Sequence, residues 1–526
     1  MIRSLSTLAL ALTFAGFTSR AGAGGVTIIT HGLNGNVDGW VTGMATNVPN
    51  YRRFPGINFT CYEMSFVSSG GGYLLRAARV AGMEPVSSES GEIVVTLDWR
   101  QLSGGSSYNT FQVAAAVVPA LLSTNFIPEL AGHALAEFPL HLVGHSRGGS
   151  LMCELSRQLG TNGVWVDHLT TLDPHPLNDP AFPLDFLVGN AVDAPANTYE
   201  NVLFHDNYWQ NAAFGVTGLP VAGAYVRKLT SFSGGYSGTA SQHSDVHLWY
   251  HGTVDWRVPA SDTEASLTDA ERASWWGSYE QSGTNAGFNY SLMGGADRMS
   301  SDQPLGFGTS AIRDGFNQWW DLGAGVFNNR TALPANNGDW PNLLKFNRTT
   351  TNAVTQGQAT PLTFSYQWAR SNTALTTVSI YLDADFNPLN TNQTLLCEIP
   401  VPGNGASSVS FATTNILLTA SNSAPGLYAF FARISGDGRA RLLYVPELVQ
   451  IVAAPSPPIV AIRQLNSSQF LVALSGSPGQ TLVLEYSTDL SNWLPLATNT
   501  LTGNQWTYTN TPPASADQGF YRALQP

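Results

Sequence analysis

The chain is poor in charge. Asp, Glu, Lys and Arg make up 11% of its 526 residues, and 36 acidic residues face 24 basic ones, for a formal net charge of -12. Lysine is nearly missing: only Lys228 and Lys345 occur, and arginine supplies the other basic groups. No basic patch is visible along the sequence, which argues against a nucleic-acid partner. Cysteine is equally scarce. Cys61, Cys153 and Cys397 cannot all pair, so a disulfide framework does not support this fold. Buried free thiols are the default expectation, with a Cys61–Cys153 bridge left open. Beyond the N-terminus no run is long and apolar enough to make a transmembrane helix. Core material is plentiful. Hydrophobic residues are 43% of the chain, and 51 glycines and 30 prolines point to many turns. That balance excludes disorder of the high-charge kind, and the length suggests about three or four domains.

The first 23 residues read as a secretory signal. Arg3 gives a positive start, and the apolar run Leu5 to Phe17 is short for a bilayer span. Ala21-Gly22-Ala23 offers small residues at the cleavage positions, so cleavage after Ala23 is expected, with a secreted or periplasmic mature chain.

From residue 26 to about 255 short apolar strands alternate with helices. The strands are Val26 to Thr30, Glu92 to Leu97, Pro139 to Val143, Val164 to Leu172 and Asn201 to Phe204. A helix is predicted over Ser150 to Leu159, closed by Gly160. This pattern predicts a mostly parallel sheet covered on both faces. Trp256, Trp275, Trp276, Trp319, Trp320 and Trp340 then crowd residues 256–350. Packing is the default reading of such density, and lining of a substrate cleft is the alternative. From about 352 short strands between polar turns predict a β-sandwich: Leu362 to Trp368, Thr377 to Leu382, Ser407 to Phe411, Gly426 to Ile434 and Arg441 to Val452. Pro455-Ser456-Pro457-Pro458 reads as a stiff linker to a last all-β module. The expected domains are thus 24–350, 351–454 and 459–526.

Gly144-His145-Ser146-Arg147-Gly148 follows an apolar strand and precedes a helix. This is the G-x-S-x-G nucleophile elbow in the setting it requires. The serine sits at a strained turn, and side chains two positions away would clash. The helix that follows favours negative charge beside the serine. A serine nucleophile needs a base, an acid that orients the base, and an oxyanion hole. Asp173 and Asp206 each end a predicted strand, and either is placed to be the acid. His243, His247 and His251 recur every four residues, so a helix would put them on one face. No carboxylate or thiol motif accompanies them, so metal binding is not the expectation. Ser244 and Asp245 look like a helix start, which sets His243 in a loop before it and favours His243, with His247 next. Thr30-His31-Gly32-Leu33 ends the first strand, and a turn there aims a backbone N–H at a developing oxyanion. The two donors assigned are the N–H groups of Leu33 and Arg147.

Together these segments resemble the α/β-hydrolase lipases, most closely the pancreatic-lipase-like branch. The residues that carry the resemblance are His31-Gly32-Leu33, Asp98-Trp99, Gly144 to Gly148, Leu172-Asp173-Pro174 and the segment from His243 to Trp249-Tyr250. It covers about residues 25–255. It implies Asp173 rather than Asp206 as the acid and His243 rather than His247 as the base. Two features of that branch have no match here: a disulfide-closed lid and its usual C-terminal lipid-binding module. Tyr486 to Leu490 and Phe520-Tyr521-Arg522 look like fibronectin-type modules of secreted bacterial proteins. Asp383, Asp385 and Asn387 have the odd-position spacing of a calcium loop, but Pro388 and Thr394 stand where glycine and glutamate are needed, so a hairpin turn is the favoured reading.

The expectation is therefore an α/β-hydrolase domain followed by two all-β sandwich modules. Its expected activity is hydrolysis of carboxylic esters, acyl lipids first, by Ser146, Asp173 and His243 without a cofactor. Polymeric esters gripped through the β-modules are a second expectation. A binding or adhesion protein on an inactive hydrolase fold is a third.

Overall fold

The computed structural model describes residues 24–50, 59–87, 92–105, 107–178, 192–212, 216–218, 220–229, 232–255, 257, 262, 265–276, 287–288, 330–334, 338–349, 353–385, 387–405, 409–445, 448–455 and 457–526. The expected signal segment, Trp256, Trp319 and Trp320 lie outside these residues.

The N-terminal region is built on one mixed sheet. Its strands are β1 (Val26–Thr30), β2 (Thr60–Ser69), β3 (Gly72–Gly82), β4 (Ile93–Asp98), β5 (Leu140–His145), β6 (Val166–Leu172), β7 (Val202–Trp209) and β8 (Tyr225–Lys228). They lie in the order β3-β2-β4-β1-β5-β6-β7-β8. Every neighbouring pair is parallel except the antiparallel hairpin β2–β3 at one edge. The sequence of the central strands explains why they sit there. β1, β4, β5 and β6 are buried along their whole length, and such strands read as apolar or β-branched runs rather than as alternation.

Helices cover both faces. They are α1 (Trp40–Asn47), α2 (Arg100–Ser103), α3 (Thr110–Leu122), α4 (Arg147–Thr161), α5 (Ser241–Val254) and α6 (Asp269–Trp276). Because strand side chains alternate, Val26 and Ile28 of β1 point into a core shared with Val113 and Val117 of α3 and Leu151 and Leu155 of α4. Ile29 points the other way, into a core shared with Met44 of α1, Trp249 of α5, and Trp275 and Trp276 of α6. Those two tryptophans are therefore packing residues.

The C-terminal region is all β and forms several sheets. Its strands are β9 (Asn342–Arg348), β10 (Val354–Thr355), β11 (Ala359–Gln367), β12 (Leu375–Asp383), β13 (Gln393–Pro402), β14 (Ser410–Leu417), β15 (Gly426–Gly436), β16 (Arg439–Tyr444), β17 (Val449–Val452), β18 (Ile459–Asn466), β19 (Gln469–Ser475), β20 (Thr481–Ser487), β21 (Leu494–Thr500), β22 (Gln505–Asn510) and β23 (Phe520–Leu524). Two compact units emerge. One takes the described residues up to Val354 with Ala359–Leu417 and Gly426–Gln450, and the other takes Thr355–Gln358, Leu418–Pro425 and Ile451–Pro526.

Within the first unit β9, β11 and β14 form one antiparallel sheet, and β12, β13, β15 and β16 pair in another. Phe431, Leu442 and Tyr444 join the same hydrophobic core as α3 and α4. The buried Arg441 guanidinium pairs with the buried Asp167 carboxylate of β6 and donates to the Trp165 carbonyl at 2.8 Å. The Trp165 indole N–H donates to Gln367 Oε1 of β11 at 3.1 Å. The parallel sheet and these antiparallel sheets are thus held by shared apolar packing and a buried ion pair. In the second unit β18-β19-β22 and β21-β20-β23 are three-stranded antiparallel sheets around Val472, Leu474, Leu482, Leu484 and Leu501.

Several local readings need correction. α4 starts at Arg147, not Ser150, because the elbow turns straight into the helix with Ser146 as its N-cap. Gly160 does not close it. It lies inside the last turn, where a Cβ would fall 2.6 Å from Asn201 Cγ. β7 runs on to Trp209, so Asp206 is mid-strand rather than at a strand end. α5 begins at Ser241, so His243 lies in its first turn rather than in a preceding loop. The hairpin β2–β3 and helix α3 have no counterpart in the sequence reading. No helix among the described residues is long and apolar enough to cross a membrane.

Candidate active site

β5 lies between β1 and β6, and its last residue, His145, delivers the chain to Ser146. Ser146 adopts φ 58° and ψ −129°, a strained conformation for a residue with a side chain. Backbone bonds on both sides hold it there. Its N–H donates to the Leu172 carbonyl at 2.9 Å, and its carbonyl accepts from Gly149 N at 2.9 Å and His175 N at 3.1 Å. Two glycines let neighbouring backbone close in. A Cβ on Gly148 would lie 2.4 Å from the His31 carbonyl oxygen, and one on Gly32 would lie 2.6 Å from Ser146 Cβ and 3.0 Å from its Oγ. The turn after β1 is thereby pressed against the serine.

β6 ends at Leu172, and Asp173 follows with φ 45°. Its carboxylate is fully buried. Oδ2 lies 2.5 Å from His243 Nδ1 and accepts from Gln210 Nε2 at 2.6 Å, and Oδ1 accepts from Gln210 N at 2.9 Å. An ionised carboxylate only accepts, so His243 Nδ1 carries the hydrogen and Nε2 is left as the basic atom. His145 ties the start of α5 to the strand before the serine: its Nε2 donates to the His243 carbonyl at 2.9 Å, and the two ring centroids are 4.4 Å apart. Among the described residues the Ser146 hydroxyl and His243 Nε2 are not hydrogen-bonded to each other. Such bonds commonly tighten only when substrate is bound.

Of the two expected oxyanion donors, Arg147 follows Ser146 directly and Leu33 follows Gly32, the residue pressed against the serine. Among the described residues neither Leu33 N–H nor Arg147 N–H donates to a backbone carbonyl in the turns and loops. Arg147 is fixed by its side chain, which is fully buried over the Trp99 ring. Its guanidinium binds Asp193 through two bonds of 2.8 Å and donates to the carbonyls of Ser103 at 2.6 Å and Tyr108 at 2.9 Å. The loop carrying Leu33 is held from outside. Trp99 Nε1 donates to the His31 carbonyl at 3.0 Å, and His31 Nδ1 donates to the Gly32 carbonyl at 2.9 Å. Arg100 grips Asp38 at 2.7 and 2.9 Å and Asp98 at 2.6 Å, and its hydrogen bond holds the Asp38 carboxyl below the usual carboxylate range.

The alternative residues stand elsewhere. Asp206 is fully buried in a separate network, with Oδ1 2.7 Å from His168 Nε2 and 2.6 Å from Thr170 Oγ1, and Oδ2 accepting from Tyr208 OH at 2.9 Å. Burial pushes its carboxyl up to about 6. His247 lies one turn along α5 from His243. Its ring stacks on Trp40 at 4.2 Å, and burial, then His145, holds it well below the usual histidine range. His251 Nε2 lies 3.0 Å from Asn47 Oδ1. No group of three metal-ligating side chains occurs among the described residues.

At the suspected calcium loop β12 and β13 pair as a hairpin. The buried Asp383 accepts from Tyr444 OH at 2.6 Å, and Asn387 Nδ2 donates to the Pro85 carbonyl at 2.8 Å. All three cysteines are free. Cys61 and Cys153 are buried, and burial pushes each thiol up to about 12.

Three contributors escaped the sequence reading: Gln210, which gives Asp173 two hydrogen bonds, the Arg147–Asp193 pair, and His145. The first two have no local signal, since the partners lie 37 and 46 residues apart. His145 sits inside the motif itself.

No protein-family model matches the chain, and no curated protein matches it. Solved structures give partial alignments. Superoxide reductase (neelaredoxin) from Ignicoccus hospitalis is 10% identical over 22% of this chain and 81% of its own, with a TM-score of 0.15. Red sea bream transglutaminase is 11% identical over 36% of this chain and 31% of its own, and the human OSCAR ligand-binding domain is 12% identical over 35% and 86%, each with a TM-score of 0.15. Likenesses at this level carry no argument.

Proposed function

We propose that the N-terminal region is an α/β-hydrolase domain and that the protein is an exported serine hydrolase of carboxylic esters, acyl lipids among them. One observation carries the reading: the strand that ends at the strained Ser146 turn pairs with the strand that is followed by the buried Asp173, whose Oδ2 lies 2.5 Å from His243 Nδ1. In the reaction Ser146 Oγ attacks the ester carbonyl while His243 Nε2 takes its proton. Asp173 holds Nδ1–H and stabilises the cationic ring. The Leu33 and Arg147 N–H groups receive the oxyanion. His243 returns the proton to the departing alcohol, leaving an acyl group on Ser146. Water, activated by the same ring, then releases the acid. The parallel sheet supports this assignment, because it sets the ends of β1, β5 and β6 side by side and so gathers the hole, the nucleophile and the acid.

Hydrolysis of nitrophenyl esters from acetyl to palmitoyl tests the reading. Activity in the full chain that vanishes in Ser146→Ala supports it, and chain-length preference separates lipase from short-chain esterase. Absence of Ser146-dependent turnover on every ester, with the protein folded, counts against it.

A further inference from the structure

His145 does more than fill the variable place in the motif. It is the last residue of β5, and its backbone is fixed by parallel pairing with Leu172. From that rigid position its side chain crosses to α5, where Nε2 lies 2.9 Å from the His243 carbonyl oxygen. A carbonyl only accepts, so Nε2 carries the hydrogen. Burial first, and then His243, depresses the basicity of the His145 ring, which favours its neutral form.

Other contacts converge on the same ring. His145 meets His247 edge-on with centroids 4.6 Å apart. His247 stacks on Trp40, the first residue of α1, which follows the loop that carries Leu33. Tyr236 closes the cluster at 5.1 Å from His247. The nucleophile elbow, the base-bearing helix and the end of the oxyanion loop therefore meet at one aromatic cluster, and the His145–His243 hydrogen bond is its directional link.

We propose that His145 is a positioning residue: its Nε2–H holds the His243 carbonyl and so sets the His243 ring on Asp173 and toward Ser146. The inference rests on the hydrolase reading. Glutamine and phenylalanine separate a hydrogen-bond role from simple packing. The Gln amide nitrogen occupies the place of imidazole Nε2 and keeps the donor, whereas Phe keeps an aromatic ring and loses it. His145→Phe should lower kcat on the order of 10²-fold with KM changed by less than about twofold, the size expected when a reacting group is misplaced by about 1 Å. His145→Gln should recover kcat to within about fivefold of the parent. If Phe does not fold, His145→Asn, whose amide stops short of the Nε2 position, replaces it.

Phenylalanine with unchanged kcat, or glutamine as impaired as phenylalanine, overturns the proposal. Imidazole ¹⁵N spectra of the full chain give a readout that needs no turnover. They should show His145 as the neutral Nε2–H tautomer, and an Nδ1–H tautomer overturns the proposal. If the parent protein has no Ser146-dependent activity, the functional reading falls, and the tautomer alone decides whether the contact exists.

Discussion

Replacing Asp173 with asparagine is the most informative single change, because the structure dictates what the new amide must do. The Asp173 carboxylate accepts three hydrogen bonds, from Gln210 N, Gln210 Nε2 and His243 Nδ1. An amide offers one acceptor. The backbone N–H of Gln210 cannot move away, so the amide oxygen settles at the Oδ1 position and the NH₂ takes the Oδ2 position. That NH₂ then faces two donors. His243 escapes by moving its hydrogen from Nδ1 to Nε2, and in that tautomer it cannot accept a proton from Ser146.

A wrong-tautomer substitution of this kind lowers kcat by about 10⁴ in a serine protease, and the same loss, about 5 kcal/mol, is expected here. Gln210 Nε2 also loses one of its two acceptors while keeping the Val216 carbonyl at 2.9 Å, which should cost about 1 kcal/mol of stability. The assay is kcat on a nitrophenyl ester together with a thermal melt. Asp206→Asn is the control. Its carboxylate is engaged by His168 and Thr170, so this change should lower the melting temperature and leave kcat within about fivefold, because no reacting group is moved. The reasoning fails if folded Asp173→Asn keeps more than about a tenth of parental kcat, or if Asp206→Asn is the variant that abolishes turnover.

Three further outcomes follow from the same geometry. Gly32→Ala puts a Cβ 2.6 Å from Ser146 Cβ, so the loop must shift, and steady-state kinetics should show kcat reduced by about 10²–10³, the effect of losing one oxyanion donor. Asp193→Ala strands the Arg147 guanidinium in a fully buried site, and urea denaturation should report a loss of about 3–5 kcal/mol. Burial pushes the Asp245 carboxyl up to about 7 from an ordinary value of 3.8, so the folded state keeps a proton that the unfolded chain has released. Its contribution to stability is therefore greatest below about pH 4 and is lost as pH rises toward 7. Asp245→Asn keeps the acceptor for Tyr236 N–H and should flatten that part of a stability profile measured by denaturation between pH 4 and pH 8.

What the sequence made legible was local. The G-x-S-x-G motif between an apolar run and a helix placed Ser146, and the apolar runs of the buried strands placed the parallel sheet. His243 rather than His247 meets Asp173, but not from the expected loop: the helix start lies at Ser241, so His243 belongs to the first turn. Asp206 stayed a candidate beside Asp173 because the strand after β6 seemed to end there. In fact it continues to Trp209, which carries Asp206 into the sheet interior. Long-range contacts were hidden. Nothing near Arg147 announces Asp193, and nothing near Arg441 announces Asp167. α3 was obscured by its valines and by Pro119, weak helix formers that packing on α4 overrides. β3 was obscured because it is an edge strand with many exposed positions and little alternation.

The central claim is that Ser146 is an activated nucleophile. Reaction of the folded full chain with a fluorophosphonate probe, followed by peptide mass spectrometry, tests it most directly. The account predicts one adduct on the peptide containing Ser146, absent in Ser146→Ala and formed far more slowly in His243→Ala. A folded protein that leaves Ser146 unmodified, or one labelled equally well after Ser146→Ala, would contradict it.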